Sequence, residues 1–168
     1  KEVLRAYSAG LMTGTGERLF SPNAPATRAM LVTILHRLAG SPEAEGGGFT
    51  DVSGAAYYAA AVAWASKNGV VEGYEDGSFR PDEPITREQL AAVLYRYAVS
   101  RGIDVTASGD LSAYADAGSV SSWAADAMRW ATGAGVLSGT ASGLEPQGTA
   151  TRAQAAAMLV RFTDIVGQ

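Results

Sequence analysis

Residues 73–98 read GYEDGSFRPDEPITREQLAAVLYRYA, a loop rich in glycine, proline and acidic residues that leads into an apolar run. Thr86 and Gln89 stand three residues apart at the start of that run, which is the pattern of a capping box at a helix N-terminus. Arg87 follows the threonine directly, although a helix N-terminus disfavours a cation by about 0.3–1 kcal/mol. The stretch predicts a helix from Thr86 onward and leaves the arginine without a role in helix stability.

The same loop and helix occur three times, which is typical of a repeat architecture. SAGLMTGTGERLFSPNAPATRAMLVTILHRLA at 8–39 precedes the quoted copy by 59 residues, and GAGVLSGTASGLEPQGTATRAQAAAMLVRFT at 133–163 follows it with one loop residue fewer. The shared landmarks are Gly10, Gly69 and Gly135; Gly14, Gly73 and Gly139; Phe20, Phe79 and Leu144; Pro22, Pro81 and Pro146; and the Thr-Arg pairs at 27–28, 86–87 and 151–152.

A second block precedes the loop in the two later copies. FTDVSGAAYYAAAVAWASKNG at 49–69 aligns with YADAGSVSSWAADAMRWATGAG at 114–135, which pairs Asp51 with Asp116 and Trp64 with Trp130. Lys1 aligns with Ala60, so the first copy lacks this start. The predicted repeats are 1–40, 49–98 and 114–163, separated by linkers rich in glycine, serine and small polar residues.

Each repeat is predicted to contain two helices joined by the loop. The first helix ends at a glycine that is followed by an aliphatic residue, as in Gly69-Val70. The second helix has an apolar stripe at helical spacing, such as Leu90, Val93 and Leu94. One stripe cannot bury itself, so we expect an all-α unit in which the three stripes face a common axis.

The composition of the chain excludes several classes of function. No apolar run approaches the ~20 residues of a membrane span, so no membrane insertion is expected. The chain has no cysteine and one histidine, His36, which predicts no disulfide, metal site or metal cofactor. A net charge of −4 gives no general attraction to nucleic acid. An anionic ligand would need a local site.

The three first-turn arginines, Arg28, Arg87 and Arg152, admit two interpretations. One is an ion pair with the recurring aspartates, Asp51 and Asp116. The other is an anion site at which exposed helix N–H groups and a guanidinium converge on a carboxylate or phosphate. A second set of arginines, at 37, 96 and 161, lies late in the same helices, where the helix dipole favours a cation.

The combination of F-x-D, a Trp-bearing helix, G-x-x-x-G, F-x-P and TREQ or TRAQ resembles the S-layer homology domain in three tandem copies, the first without its start. The resemblance implies a pseudo-threefold unit with a central three-helix bundle and outward-facing partner helices. It also implies non-covalent anchoring to the bacterial cell wall, outside the cell. The implied ligand is a secondary cell wall polysaccharide that bears a pyruvate ketal on an N-acetylmannosamine-type sugar, and the module is expected to be fused to a larger surface protein or enzyme.

The resemblance also implies a set of ligand-binding residues. They are the arginines Arg28, Arg87 and Arg152, the groove aspartates Asp51 and Asp116, the glycines Gly14, Gly73 and Gly139, and the tryptophans Trp64 and Trp130. For the tryptophans, packing in the core is the alternative to stacking on a sugar. Repeat two combines Asp51, Gly73 and Arg87, and is therefore predicted to supply the most complete site.

Two other classes of function are weighed against wall anchoring. Two carboxylates near a groove would suit glycoside hydrolysis, but arginines beside the acids would lower their pKa and favour binding over proton donation. No nucleophile motif repeats, so we expect a module that is not an enzyme. A protein-binding or self-assembling repeat module without glycan affinity would share the same periodicity and stays open.

Overall fold

The computed structural model describes residues 1–16, 19–46 and 48–167, and over these residues the chain is all-α and contains no β-strand, as the sequence predicts. The α-helices are α1 (Glu2–Ser8), α2 (Arg28–Leu38), α3 (Ala59–Lys67), α4 (Arg87–Ser100), α5 (Ala125–Gly133) and α6 (Arg152–Val166). Three single-turn 3-10 helices, Leu111–Ala113, Ala117–Ser119 and Ser122–Ala124, precede α5. In the described ranges no helix combines the length and the apolar character needed to cross a membrane.

The helix boundaries follow from local sequence. α4 and α6 begin with complete capping boxes, formed by Thr86 with Gln89 and by the equivalent residues of α6. α2 has only half of the box, because Met30 stands where the other helices have glutamine and only its amide donates to Thr27 Oγ1, at 3.3 Å. The glycines after α1, α3 and α5 have φ values of 68°, 65° and 73°, a left-handed conformation that ends a helix.

A ring of backbone hydrogen bonds joins three equivalent residues. The Ala26 amide donates to Ala150 O, the Ala150 amide to Ile85 O, and the Ile85 amide to Ala26 O, each at 2.9 Å. All three residues are buried. The ring has one member from each repeat and therefore defines a pseudo-threefold axis. The central helices α2, α4 and α6 each begin two residues after it.

The outer helices connect different repeats. α3 packs on α2, α5 packs on α4, and α1 packs on α6. Arg5 Nη2 and Asp164 Oδ1 form an ion pair of 2.6 Å at the junction between the first and third repeats. The three repeats thus form a closed unit in which each outer helix lies on a central helix of another repeat.

The apolar core lies between the helices. Leu35, Leu94 and Leu159 occupy equivalent positions on the central helices and are fully buried. The rings of Tyr97 and Phe162 meet edge to face, with centroids 5.7 Å apart. Burying a leucine side chain stabilises the folded state by about 1.5–3 kcal/mol. The predicted stripes therefore bury one another, which places the loops and helix starts at the boundaries between repeats.

Candidate site in the grooves between repeats

The three first-turn arginines bind the loop of the next repeat. In the first repeat, Arg28 Nε donates to Phe79 O and Arg28 Nη2 donates to Glu72 O, both at 2.9 Å. In the second repeat, Arg87 Nε donates to Leu144 O at 2.8 Å and Arg87 Nη2 donates to Ser138 O at 2.9 Å. In the third repeat, Arg152 Nε donates to Phe20 O at 2.9 Å and Arg152 Nη2 donates to Thr13 O at 2.6 Å. Repeat one therefore holds repeat two, repeat two holds repeat three, and repeat three holds repeat one. These bonds give the arginines a structural role between repeats.

The first backbone N–H groups of the central helices are also bound by the next repeat. The Arg87 amide donates to Gly148 O at 2.9 Å, and the Glu88 amide donates to Pro146 O at 3.0 Å. The starts of α2 and α6 make the equivalent bonds. The predicted convergence of exposed helix N–H groups on an anion is therefore wrong, because neighbouring carbonyls occupy those donors. Any anion site rests on the guanidiniums.

The contacts of the guanidinium Nη1 atom separate Arg152 from the other two first-turn arginines. Within the described residues, Nη1 of Arg28 and Nη1 of Arg87 have no hydrogen-bond partner, whereas Nη1 of Arg152 lies 3.0 Å from the Met30 sulfur. Arg28 and Arg87 are 9% and 4% exposed, and burial lowers the pKa of both guanidiniums. Neighbouring acids, Glu83 for Arg28 and Glu145 for Arg87, partly offset this effect of burial on the pKa. An anion at Nη1 would add a charge-assisted hydrogen bond to either arginine.

The recurring aspartates bind backbone instead of the arginines. Asp51 accepts from the Phe79 and Arg80 amides, both at 2.8 Å, and Asp116 makes the equivalent pair of bonds to its own loop. The hydrogen bond from the Phe79 amide is the main cause that lowers the pKa of Asp51. The predicted ion pair between these aspartates and the first-turn arginines is therefore wrong. The carboxylates hold the loop in shape.

The loop needs that support because one residue in it has a strained backbone. Arg80 has a φ of 57°, and the equivalent Ser21 and Glu145 have φ values of 51° and 50°. Non-glycine residues adopt this left-handed conformation at a cost. In repeats two and three the aspartate accepts from the amide of the strained residue itself. The F-x-D motif thus positions the carbonyls that the arginines bind.

The repeated loop glycine is required by close packing. A Cβ on Gly73 would meet the ring of Phe49 and would lie 2.9 Å from Ser78 O. A Cβ on Gly14 would lie 2.6 Å from Leu19 O. Both distances are shorter than a side-chain carbon tolerates, so the loop can form only with glycine there.

Three shallow grooves lie between the repeats, one beside each first-turn arginine. The Arg28 groove, about 160 Å³, is lined among others by Arg28, Gly73, Gln89, Arg96 and Trp123. The Arg87 groove, about 280 Å³, has Arg87, Gly139, Gln154 and Arg161. The Arg152 groove, about 240 Å³, has Arg152, Gly14, Met30, Arg37 and Tyr57. Each groove therefore combines the arginine of one repeat with the glycine of the next.

This arrangement corrects the grouping of site residues within one repeat. Gly73 lies with Arg28, whereas Arg87 lies with Gly139. Asp51 and Asp116 line none of the three grooves. The combination of Asp51, Gly73 and Arg87 therefore does not form one site, because each arginine reaches across the repeat boundary.

The second set of arginines lies in the grooves as well. The helix dipole does not explain Arg96 and Arg161, since α4 continues to Ser100 and α6 continues to Val166 beyond them. Arg161 Nε donates to Glu2 Oε1 at 2.8 Å. Arg96 makes no salt bridge within the described residues. The recurrence of these arginines at the same position of each repeat is the sequence signal that could have identified them as groove residues.

The aromatic residues divide into a buried pair and an exposed pair. Trp64 and Trp130 are 7% and 1% exposed, and Trp130 packs edge to face on Phe162, so both fit the core role and cannot stack on a sugar. Tyr57 and Trp123 are exposed and line grooves. Their spacing of 66 residues is that of Trp64 and Trp130, a signal that the sequence contained.

Three homologous helix-loop-helix units, closed into a ring by arginines that cross each boundary, define a repeat domain. The S-layer homology domain family matches residues 1–29, 48–91 and 113–156. Together these segments make up more than half of the chain, and the chain belongs to this family.

Curated relatives are large proteins of which the chain matches a part. It is 34% identical to the "Surface-layer 125 kDa protein" of Lysinibacillus sphaericus, over 99% of the chain and 14% of that protein. It is 33% identical to the "Amylopullulanase" of Thermoanaerobacterium thermosulfurigenes, over 95% of the chain and 9% of that protein. It is 31% identical to the "Cellulosome-anchoring protein" of Acetivibrio thermocellus, over 55% of the chain and 25% of that protein. The chain thus spans a quarter or less of each.

Proposed function

We propose that this chain anchors a larger protein to the bacterial cell wall by binding a carboxylate-bearing sugar of a wall polysaccharide in the Arg28 groove. The observation that supports this most directly is that two arginines of this groove are available to an anion within the described residues: Arg28 Nη1 has no hydrogen-bond partner and Arg96 makes no salt bridge, whereas Arg161 of the Arg87 groove is paired with Glu2. The expected ligand is a secondary cell wall polysaccharide with a pyruvylated N-acetylmannosamine-type sugar. The chain is an extracellular module of the bacterial cell surface.

The Arg28 groove offers two cations to one anion. Arg28 is held in place by Phe79 O and Glu72 O, so its free nitrogen is fixed before a ligand arrives. Arg96 lies in the same groove and makes no salt bridge within the described ranges. A guanidinium suits a carboxylate in geometry and charge. Such preorganisation lowers the entropy lost on binding.

The remaining wall of the groove suits a sugar ring. Trp123 is 56% exposed and lines the groove, so it can cover an apolar sugar face with little rearrangement. Gln89 Oε1 accepts from the Thr86 amide, so its amide nitrogen remains for a hydroxyl or acetamido oxygen. A shallow, open groove fits one unit of a polymer that continues in both directions.

The anchoring role is supported by the names of relatives. Surface-layer, cell surface and cellulosome-anchoring proteins match this chain, and so do enzymes such as an endoglucanase. The chain spans a small part of each, so the larger protein that it anchors is a surface protein or an enzyme. The module itself has a binding role, not a catalytic one.

A titration with two sugars tests the proposal. Pyruvylated N-acetylmannosamine should bind at least about tenfold to a hundredfold more tightly than its unpyruvylated twin, because a hydrogen bond to a charged group contributes about 1.5–3 kcal/mol. Calorimetry and shifts of the Trp123 ring resonances report the site. Equal affinity for both sugars would exclude the carboxylate, and association of the protein with itself in sedimentation would favour the self-assembly alternative.

A further inference from the structure

Glu88, in the first turn of α4, carries a buried carboxylate that has no part in the sugar site described so far. The residue is 3% exposed and lines none of the three grooves. In the described part of the chain it forms no salt bridge. The positive end of the helix favours an acid here, but a carboxylate withdrawn from water needs hydrogen bonds in its place.

The fold does not require an acid at this position. Ala29 in α2 and Ala153 in α6 stand at the equivalent place. Their amides each donate to a proline carbonyl of the neighbouring loop at 2.9 Å, as the Glu88 amide does at 3.0 Å. The backbone contacts of the helix start are therefore made with or without the carboxylate. Glu88 adds something that only the second repeat has.

Three donors of the third repeat converge on the Glu88 carboxylate. Oε2 accepts from the Ser121 amide at 3.0 Å, and Oε1 accepts from Ser121 Oγ at 2.8 Å and from Gln147 Nε2 at 3.2 Å. Gln147 Nε2 also donates to Ser119 O at 2.6 Å. The side chain thus ties two separate segments of the third repeat to the start of α4.

One of these segments carries the exposed tryptophan of the Arg28 groove. Ser121 directly precedes the 3-10 helix Ser122–Ala124, whose middle residue is Trp123. Ala124 is fully buried, and its amide donates to Ser121 O at 2.9 Å. Because the Trp123 ring is itself 56% exposed, its position depends on the backbone of residues 121–124. That backbone is held at one end by the core and at the other end by Glu88.

The exposed aromatic residue of the Arg152 groove lacks this support. Tyr57 stands 66 residues before Trp123, and the same offset puts Ala55 in place of the serine. The outer helix that follows Tyr57 packs on α2, where Ala29 replaces the acid. An alanine side chain can neither donate nor accept a hydrogen bond. The acid and the serine therefore occur together beside one groove and are both replaced beside the other.

We propose that Glu88 is a positioning residue of the Arg28 groove, which holds Ser121 and thereby fixes Trp123 where its ring covers the sugar. Glu88 does not touch the sugar. It raises affinity because a ring that is already in place loses less conformational entropy on binding. The effect on affinity rests on the sugar-binding function proposed above, whereas the effect on the order of residues 121–124 does not.

Hydrogen exchange and NMR relaxation of the sugar-free chain test the first step. In Glu88→Ala the Ser121 amide loses its acceptor and should exchange at least about tenfold faster, since a hydrogen bond to a charged group is lost. The backbone order parameter of Trp123 should fall from about 0.85 towards 0.6. Unchanged order at Trp123 would refute the positioning role, whatever the sugar does.

A double-mutant cycle with the pyruvylated sugar tests the second step. Glu88→Ala should weaken binding by about threefold, which is within the loss expected when the ring is removed altogether. In a Trp123→Ala background, Glu88→Ala should cause no further loss, because the ring through which it acts is gone. Losses that multiply in the double variant would mean that Glu88 acts through the fold or another residue, and would overturn the proposal.

Two conservative variants separate the hydrogen bonds from the charge. Glu88→Gln keeps the length of the side chain and an oxygen for the Ser121 amide, so its affinity should stay within about twofold of the wild type. Glu88→Asp keeps the charge but shortens the reach, so it should lose about as much affinity as Glu88→Ala. The reverse order of the two variants would assign the effect to charge and exclude positioning.

The outcomes also distinguish this proposal from the sugar-binding function. If the wild type prefers the pyruvylated sugar and Glu88→Ala binds it equally well, the positioning role fails and the sugar site stands. If the wild type binds neither sugar, the sugar-binding function fails, and the order of Trp123 in the free chain decides the positioning role by itself.

Discussion

The Arg28 groove and the Arg152 groove are built from equivalent residues, and they differ in whether the Nη1 atom of the arginine has a protein partner. In the Arg28 groove, Gln89 completes the helix cap and leaves the guanidinium Nη1 without a protein partner in the described ranges. In the Arg152 groove, Met30 replaces the glutamine and its sulfur lies 3.0 Å from Arg152 Nη1. A thioether is a weak acceptor, so it partly occupies the donor without neutralising the charge.

The comparison shows that equivalent repeats need not give equivalent sites. The arginine, the glycine and the second arginine are present in both grooves, so the inter-repeat contacts are the same. The differences lie at positions that the fold does not require, namely the glutamine and the exposed aromatic residue. We expect these positions to set affinity, and the four predictions below change them or their neighbours.

The largest expected effect is loss of binding in Arg28→Ala. Removing the guanidinium should weaken binding of the pyruvylated sugar at least about a hundredfold, because it deletes a charge-assisted donor in a partly buried site. Arg152→Ala should weaken it by less than about threefold if the Arg152 groove contributes little. Calorimetric titration of both variants measures the difference.

The control for folding is Arg87→Ala, which loses a pair of carbonyl contacts equivalent to the pair that Arg28→Ala loses. Both variants should lower the Tm by similar amounts, as each leaves two loop carbonyls without a donor. Only Arg28→Ala should lose most of the sugar affinity. A larger loss in Arg87→Ala would move the principal site to the Arg87 groove.

The next effect in size is that of Trp123→Ala. Loss of the exposed ring should weaken sugar binding by about threefold to tenfold, and leave the Tm nearly unchanged. Trp130→Ala is the opposite case, since loss of its buried ring should lower the free energy of unfolding by about 3–5 kcal/mol. Thermal unfolding followed by circular dichroism, together with titration, separates the two roles. A large fall in Tm for Trp123→Ala would argue against a binding role.

Exchanging the glutamine and the methionine should interconvert the two grooves. Met30→Gln completes the capping box of α2 and should stabilise the protein by about 0.5–1 kcal/mol. It also frees Arg152 Nη1, so the Arg152 groove should gain affinity for the sugar. Gln89→Met should do the reverse in the Arg28 groove. If both swaps leave sugar affinity unchanged, the glutamine has no part in the site.

The smallest expected effect is a pH dependence of the loops that Asp51 and Asp116 bind. Asp51 has a pKa below its ordinary value of 3.8 because of the bond from the Phe79 amide, so its contribution to stability is present above pH ~4 and is lost as pH falls through the lowered pKa. The Phe79 and Arg80 amide resonances should shift in that acidic range. The Phe20 and Ser21 amides, which no described aspartate binds, should not follow the same titration. Asp51→Asn should remove the shift of the first pair.

The local parts of this structure could be predicted from sequence because their causes are local. Thr86 and Gln89 determine the start of α4 within four residues, and the glycine after each outer helix determines its end. The apolar stripes predicted an all-α fold because their helical spacing is also a local property of the sequence. Helix periodicity and caps are properties of a short segment.

The sequence could not predict which arginine and which loop share a groove, because all three repeats have the same internal spacing. A contact from Arg87 to its own loop and a contact to the next loop obey the same periodicity, and only the packed structure distinguishes them. The second arginines were also ambiguous. A late cation in a helix has a dipole explanation, which failed for Arg96 once α4 proved to continue to Ser100.

The ring of backbone bonds between Ala26, Ile85 and Ala150 has a consequence for the number of repeats. In an open stack of repeats, a terminal unit can be gained or lost while the others keep their contacts. Here every repeat is both donor and acceptor, and the Arg28 groove takes residues from all three, with Trp123 from the third. Deleting any one repeat would therefore open the ring and remove the Arg28 groove, so three is the smallest number of repeats that forms this groove.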